Sequence, residues 1–421
     1  MGADNPEPAK QSTITIKEQR APSWSDVAPF YATVVQQVGF LFLIYINNPS
    51  WAIWATFVLI PLLDKFMPED RKNINPANLK SFEKDWRFNI PLLIGFFLNG
   101  AGLLYIMIGI SRGTYGATLW DFSILLASCS VVFGVNVPCI SHELYHRRNK
   151  YFKILGVIGH MKFLSGHIPI YHNEQHHKYT GIKGKDPGFP PRGTTAFDIV
   201  EFFGYYGIRE TYIFEDQKLK KRGVVSLMNR LLANRVVRYR AIEIVYLIAL
   251  YLTLGWKAVV FQILFAQMSL TILSTTNLFE HYGLERKVLN ADKPNEKKLY
   301  EPQGRHHSWD AHASSSMVIL FNLQRHSDHH LFVYKPYQIL DSVENSPSLP
   351  FGYSAGFLCA WCPPVWRAVM DPMLDALERG EKLREEEVKK QKRILDLYFS
   401  AVWITFTLLQ FFVIGFNLPA Y

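Results

Sequence analysis

The chain has 421 residues, of which 49% are hydrophobic and 19% charged, and its formal net charge is +9. This apolar content excludes an intrinsically disordered chain, and four cysteines are too few for a disulfide-stapled secreted protein. We expect no nucleic-acid partner, because basic residues at a cytoplasmic leaflet already face anionic lipid.

Apolar residues are concentrated in seven blocks, and about 20 such residues cross a bilayer. In chain order the blocks are 27–46, 50–64, 88–110, 118–140, 236–255, 257–277 and 397–417. The second and fifth are marginal in length. We therefore predict an all-α polytopic membrane protein with a six-helix transmembrane bundle, a histidine-rich helical cap and a seventh, C-terminal transmembrane helix.

The blocks divide the chain into three predicted regions. Residues 1–26 form a polar segment, residues 27–372 a membrane domain, and residues 373–421 a charged helix followed by the last apolar block. The cap falls mainly at 141–235 and 278–350. We expect no nucleotide or flavin site, because no complete glycine fingerprint for a dinucleotide is present.

The predicted spans place every histidine on one side of the membrane. All but two of the 45 basic residues lie on that same side, the exceptions being Arg112 and Lys257. The positive-inside rule then predicts that the histidine-rich side is cytoplasmic, or faces the matrix if the membrane is the mitochondrial inner membrane.

All fourteen histidines lie between positions 142 and 330, and two of their clusters lie in the first part of the predicted cap. His142 and His146 are four residues apart on a predicted helix, so both imidazoles can reach one metal ion. On a helix, His172 and His176 also share a face, whereas His177 is turned about 100° away, toward a second ion.

A third cluster contains His326, His329 and His330, and His281 follows the sixth apolar block. Nine imidazoles exceed the three or four that one zinc ion uses, and they suit two iron ions with four or five ligands each. Carboxylates are expected behind neutral imidazoles to orient the rings. The candidates are Glu143, Glu174, Asp186, Glu280, Asp310 and Asp328.

The first cluster also matches His-Glu-x-x-His, the zinc-protease motif in which Glu143 would be the general base. A protease would need only one further ligand and would leave the other two clusters without a role. It therefore remains the minor alternative.

The octapeptide Leu-Gln-Arg-His-Ser-Asp-His-His at 323–330 resembles the signature of the integral-membrane alkane 1-monooxygenases, within the histidine-box superfamily of membrane fatty-acid hydroxylases and desaturases. Further segments resemble the same family at 60–64, 186–187, 280–284, 307–309 and 369–372. The resemblance implies a six-helix domain with a cytosol-facing diiron site that hydroxylates a terminal C–H bond using O2 and two electrons.

The resemblance also implies a set of metal ligands. By motif these are His142, His146, His172, His176, His177, His281, His326, His329 and His330. His167 and His307 occupy family-like positions and are expected near the ligands, whereas His160, His306 and His312 are interpreted as interfacial or surface groups.

Electrons in this family come from a rubredoxin- or ferredoxin-type donor and a reductase. This chain has a single Cys-x-x-Cys, Cys359 and Cys362, in an apolar context, so we expect the donor to be a separate protein. The substrate is expected to be an alkane-like or lipid-like molecule that enters from the lipid bilayer.

Three positions depart from the family pattern, which usually has Glu, Gly and Tyr where Tyr171, Gln175 and Leu278 stand. The tail after Asp371 departs further. The alternative is a structural or accessory subunit of a larger membrane assembly, such as a respiratory complex, that retains a hydroxylase-like fold.

Overall fold

The computed structural model describes residues 20–415, apart from residues 202, 203, 205 and 294. Within this part of the chain the secondary structure is helical, and the β-structure consists of three isolated bridges. Most of the polar segment 1–26 and the end of the last apolar block lie outside the described residues.

The main helices follow the order of the apolar blocks and the cap. They are α1 (Trp24–Tyr45), α2 (residues 51–66), α3 (Trp86–Ser111), α4 (Leu119–His146), α5 (Lys150–Lys162), α6 (residues 168–179), α7 (Gly207–Lys221), α8 (Arg235–Leu254), α9 (Trp256–His281), α10 (His326–Leu331), α11 (Tyr353–Ala360), α12 (Pro363–Glu378) and α13 (Glu385–Ile414). Shorter helices include Leu79–Lys84, Ala196–Glu201, Leu227–Ala233 and Ser314–Ile319.

Five helices, α1, α3, α4, α9 and α13, are long and apolar enough to cross a membrane. They coincide with five of the seven predicted blocks, while α2 and α8 coincide with the two blocks of marginal length. The prediction of an all-α polytopic membrane protein is confirmed.

Helix α4 is the centre of the bundle, because 78% of its most apolar stretch is buried, against 11% in α13. Thr118 caps its N-terminus by accepting a hydrogen bond from the Asp121 backbone N–H at 3.1 Å. The helix ends at His146, so its last turn carries histidines into the cap.

Glycines allow α5 to fold back tightly along the end of α4. A β-carbon at Gly156 would lie 2.6 Å from the Tyr145 backbone nitrogen and 2.7 Å from the Ser141 backbone oxygen. Gly159 faces the Ser141 side chain in the same way. This close approach holds the segment after α5 beside the histidines at the end of α4.

We expect Gly156→Ala to destabilise the protein, because the added methyl group meets backbone atoms that cannot move aside. Overpacking of this kind costs about 1–3 kcal/mol, which a lower midpoint of thermal unfolding in detergent would reveal. Gly39→Ala is the matched control, since a β-carbon there meets nothing within 4 Å. Equal stability of the two variants would show that the contact between the helices is not tight.

The C-terminal helix α13 packs on α2 and on Ser50 just before it, through side chains between Asp396 and Gln410. The Trp54 indole N–H donates to Thr407 Oγ1 at 3.0 Å, and Gln410 Nε2 donates to Ser50 Oγ at 3.1 Å. Lys65 and Asp396 form an ion pair at 2.8 Å. The predicted seventh helix is therefore attached to the membrane domain of its own chain.

Candidate metal centre

Four helices bring the predicted ligand histidines together at one end of the bundle. Two are contributed by the end of α4, one by the end of α9, and three each by α6 and α10. The nine rings therefore lie together at the end of the bundle that adjoins the cap, and they divide into two groups.

The first, the five-histidine group, is defined by ring nitrogens that all lie within 4.8 Å of one another. Its members are His142, His146, His172, His177 and His329. His142 Nε2 is 2.9 Å from His172 Nε2, and His146 Nε2 is 3.3 Å from His177 Nε2.

The second, the four-histidine group, combines two three-residue clusters that share His281, one with His176 and His330 and the other with His326 and Glu280. His281 Nε2 is central to it, at 3.2 Å from His176 Nε2 and 3.0 Å from His326 Nε2. All four side chains are buried.

The division of the second cluster differs from the helical expectation. His177, rather than His176, joins His172, and His176 joins the other group. The reason is local, because residues His172–His176 form a π-helical turn. Such a turn is wider than an α-helical one, and in it residues five apart approach one face. The structure therefore places His172 and His176 in different groups, whereas a regular α-helix would put them on one face.

The chemistry of both groups fits a metal ion. Ligand nitrogens about 2.1 Å from an ion and at right angles lie roughly 3 Å apart, which is the spacing of the facing Nε2 atoms. Two bare imidazole nitrogens at that distance repel unless a proton or a cation lies between them. Among the residues that the structure describes, His329 Nε2 and His330 Nε2 are buried without a hydrogen-bond partner. The arrangement of these histidines is therefore suited to binding metal.

Asp186 orients one ring of the four-histidine group. Its Oδ2 accepts from His176 Nδ1 at 2.9 Å, while its Oδ1 accepts from the Tyr171 hydroxyl at 3.1 Å and the Gly188 backbone N–H at 3.2 Å. Because His176 then carries its proton on Nδ1, its Nε2 lone pair is free for an ion.

Glu280 lies on the other side of the same group. Its Oε2 is 3.5 Å from His326 Nε2, and its Oε1 accepts from the Tyr353 hydroxyl at 2.8 Å. Its carboxylate belongs to a ligand-sized cluster with His281 and His326. Within the described part of the chain the five-histidine group contains no carboxyl group, whereas Asp186 and Glu280 both lie beside rings of the four-histidine group.

The other candidate carboxylates form ion pairs and hydrogen bonds with residues around the two histidine groups. Glu143 pairs with Arg147 at 2.8 Å and accepts from the Tyr337 backbone N–H. Glu174 pairs with Lys218 and Arg235, and Asp328 pairs with Arg305 at 3.0 Å and Lys335 at 2.6 Å.

Asp310 anchors the start of α10. It accepts from the Ser327 backbone N–H and hydroxyl, both at 2.7 Å, and from the Ser346 hydroxyl. Burial raises the pKa of Asp310 to about 6, because desolvation outweighs these hydrogen bonds. Its hydrogen bonds to Ser327 fix the start of α10, the helix that carries three of the candidate ligand histidines.

His307 and His167 have different surroundings. The His307 backbone oxygen lies 3.2 Å from His281 Nδ1, so it can orient that ring. The His307 side chain lies 3.1 Å from Glu301 and accepts from the Gly304 backbone N–H, which leaves no free lone pair for a metal ion. His167 Nδ1 is 3.1 Å from the Arg240 guanidinium.

The remaining histidines divide between loop, surface and cavity. The His312 ring is hydrogen-bonded to the hydroxyls of Ser342 and Ser348. The His306 side chain is exposed. His160, for which the sequence predicts no specific role, lines the cavity described next. It reaches the cavity because α5 folds back closely along α4.

An apolar cavity reaches the histidines from within the bundle. Along α4 its lining runs from Val131 to Tyr145, which is about 21 Å at 1.5 Å per residue. Apolar side chains from other helices complete it, among them Ile60, Phe57, Leu273, Ile319 and Phe357. His142, His172 and His326 lie at its inner end, so a chain-like apolar molecule can reach both groups.

Residues 117–357 match the sequence profile of the fatty acid desaturase family. An alkane 1-monooxygenase of Ectopseudomonas oleovorans is 30% identical over 82% of this chain and 86% of its own length. Alkane 1-monooxygenase 2 of Pseudomonas aeruginosa is 28% identical over 82% and 89%, respectively. The hydroxylase component of xylene/toluene monooxygenase from Pseudomonas putida is 26% identical over 80% and 85%.

Proposed function

The chain belongs to the alkane 1-monooxygenase family of the fatty acid desaturase superfamily, and we propose that it is a non-haem diiron enzyme hydroxylating a terminal or methyl C–H bond. As a member it is a membrane hydroxylase, an oxidoreductase. The proposed reaction converts R–H, O2, two electrons and two protons into R–OH and water. The observation that carries the proposal is the pair of facing histidine groups at the inner end of an apolar cavity.

We propose that nine histidines hold two iron ions, five in one group and four in the other. When bound, iron supplies the O2 activation and redox chemistry that zinc lacks. The protein's own contribution is the orientation of the rings, through Asp186 at His176 and the His307 carbonyl at His281. An imidazole acts as a metal ligand only in its neutral form.

The substrate is proposed to be an alkane-like or lipid-like molecule taken from the bilayer. Its apolar chain would lie between α4 and α9, with the reacting carbon beside His142 and His326. The cavity walls exclude bulk water from that end, which protects a reactive oxidant from side reactions. The aliphatic lining favours a chain over a polar metabolite.

Electrons are proposed to come from a separate rubredoxin- or ferredoxin-type protein and its reductase on the histidine-rich side, which we assign to the cytoplasm or the matrix. Cys359 is buried within α11 and Cys362 is half-buried. An electron-carrier domain would require a second Cys-x-x-Cys pair, whereas the other two cysteines, Cys129 and Cys139, are ten residues apart and buried in α4.

The protease alternative receives no support from the geometry. A general base must lie beside the metal-bound water, whereas Glu143 is engaged by Arg147 and the Tyr337 backbone. Packing of α13 on α2 accounts for the tail without a partner subunit. Docking in a larger assembly remains a proposal that the mass of the purified particle would test.

Metal analysis of the purified protein tests the proposed function. We expect two iron ions per chain by inductively coupled plasma mass spectrometry, and hydroxylated product from hydrocarbons when a donor and reductase are supplied. His326→Ala should lower the iron content, since it removes a member of the four-histidine group. One zinc per chain, or unchanged iron in His326→Ala, would contradict the proposal.

A further inference from the structure

The segment that leads into helix α8, residues 217–242, carries eight basic residues and no acidic one. It comprises the end of α7, a loop, the short helix Leu227–Ala233 and the first turns of α8. Its basic residues are Lys218, Lys220, Lys221, Arg222, Arg230, Arg235, Arg238 and Arg240. The groups that these cations face therefore indicate what the segment contacts.

Four of the cations are partly buried and are neutralised by carboxylates of the protein. The pairs are Lys218 and Arg235 with Glu174 and Glu215, Arg230 with Asp216, and Arg240 with Glu243. Three others, Lys221, Arg222 and Arg238, are exposed, and they form no ion pair within the described part of the chain. The outward cations are thus free to meet an anionic partner.

The short helix between these cations has an inverted polarity. At 100° per residue, its four large apolar residues occupy an arc of about 140°, and Leu227, Met228 and Leu232 are 59%, 61% and 66% exposed. The Arg230 side chain is only 14% exposed and faces Asp216 on the protein side. A surface helix in water buries its apolar stripe and exposes its charges. This helix therefore suits an apolar medium on its outer side.

The lipid bilayer lies next to that outer side. Asn234 joins the short helix to α8, and its side chain caps α8 by accepting from the Val236 backbone N–H at 2.9 Å. One to two turns further on, α8 exposes Ile244, Val245 and Ile248, as a helix that faces lipid does. The exposed apolar face of the short helix is thus continuous along the chain with the lipid-facing side of a predicted span.

We infer that residues 217–242 bind anionic phospholipids, with the helix Leu227–Ala233 lying in the headgroup layer on the histidine-rich side of the membrane. Apolar residues enter such a layer while basic residues beside a span attract its anionic headgroups. Lys221, Arg222 and Arg238 are the cations that contact phosphate. The inference goes beyond the proposed function. It also has a consequence for the cap, because Lys218 of the same segment holds Glu174 in the π-helical turn.

Lipid retention by the full-length protein tests the inference. The protein in detergent is incubated with equal amounts of phosphatidylglycerol and phosphatidylcholine, and the bound lipids are counted by native mass spectrometry. The wild type should retain phosphatidylglycerol in preference. A variant that combines Lys221→Gln, Arg222→Gln and Arg238→Gln should weaken this preference by about fivefold for each charge removed. Because these side chains form no ion pair, the variant should keep the thermal stability of the wild type.

A variant of the C-terminal tail provides the matched control. Lys382→Gln, Lys390→Gln and Lys392→Gln remove the same charge from exposed lysines that lie among acidic residues, and they should leave lipid retention unchanged. Equal retention of both lipids by the wild type, or equal losses in the two variants, would overturn the inference. Displacement of phosphatidylglycerol by inorganic phosphate at the same concentration would also overturn it, by indicating a site for a soluble anion. So would a segment variant that keeps phosphatidylglycerol but no longer binds an acidic electron carrier.

The depth of the short helix is measured separately, in nanodiscs that contain phosphatidylglycerol. A nitroxide attached to Leu232→Cys, in a Cys362→Ser background that leaves only buried cysteines, should be more accessible to oxygen than to a water-soluble nickel complex. A nitroxide on Asn229→Cys, outside the apolar arc, should show the reverse. Greater access of nickel at Leu232 would place the helix in water and overturn the inference. Neither measurement requires catalysis, so a failure of the proposed reaction is distinguished from a failure of lipid binding.

Discussion

His329→Ala is expected to lower the iron content from two ions per chain toward one and to abolish hydroxylation. His329 is central to the five-histidine group, with its ring centroid 4.6 Å from His142, 4.8 Å from His146 and 4.9 Å from His177. In the part of the chain that the structure describes, its Nε2 is buried without a hydrogen-bond partner, which suits an atom that faces a metal ion. Loss of a partner behind a ligand typically costs about 10–100-fold, and loss of a ligand should cost more.

Iron analysis and product formation measure this effect, and His306→Ala is the control. His306 is also a cap histidine, but its side chain is 60% exposed and belongs to neither histidine group. The control should retain both ions and full activity. Retention of two ions in His329→Ala would exclude His329 as a ligand and leave the five-histidine group without its centre.

Much of the architecture could be predicted because it follows from local patterns. Block lengths predicted the spans, although α4 and α9 continue beyond the predicted blocks 118–140 and 257–277 to His146 and His281. The segment at 60–64 was identified by resemblance alone. In the structure Asp64, the last residue of this segment, ties α2 to the chain before α10. Its carboxylate accepts hydrogen bonds from the Ser315 and Ser316 backbone N–H groups.

The partition of the histidines could not be predicted, because it depends on the helical period. In a regular α-helix His176 would lie on the same face as His172. Because His172–His176 form a π-helical turn, His177 lies beside His172 instead, and His176 lies in the other group. A single extra residue in one turn rotates all later side chains by about 100°. Nothing in the apolar pattern of this short segment reports that rotation.

Contacts between distant parts of the chain could not be predicted from the sequence either. Glu280 and Tyr353 are joined by a hydrogen bond across 73 positions, and His160 reaches the cavity only because glycines let α5 lie on α4. Glu143 fits a catalytic motif in sequence, yet Arg147 one turn later occupies its carboxylate. Candidate acids can be named from the sequence, whereas their partners depend on packing.

Asp186→Asn is expected to weaken iron binding at the four-histidine group by about 10–100-fold, the usual effect of losing a partner behind a metal ligand. The aspartate accepts three hydrogen bonds, one from His176 on Oδ2 and two, from Tyr171 and Gly188, on Oδ1. An asparagine has one oxygen, so its amide N–H2 must face donors on one side or the other. Either orientation breaks the arrangement that holds His176 with its Nε2 toward the ion.

Titration of the purified protein with an iron chelator distinguishes this effect from general unfolding. Asp186→Asn should release about one ion per chain at a chelator concentration that leaves the other ion bound, because the five-histidine group does not contact Asp186. Asp198→Asn is the matched control, since that exposed carboxylate only caps a short helix through Thr195. Loss of both ions together in Asp186→Asn would indicate that the groups act as one inseparable unit, whereas identical titrations of the two variants would remove Asp186 from the metal site.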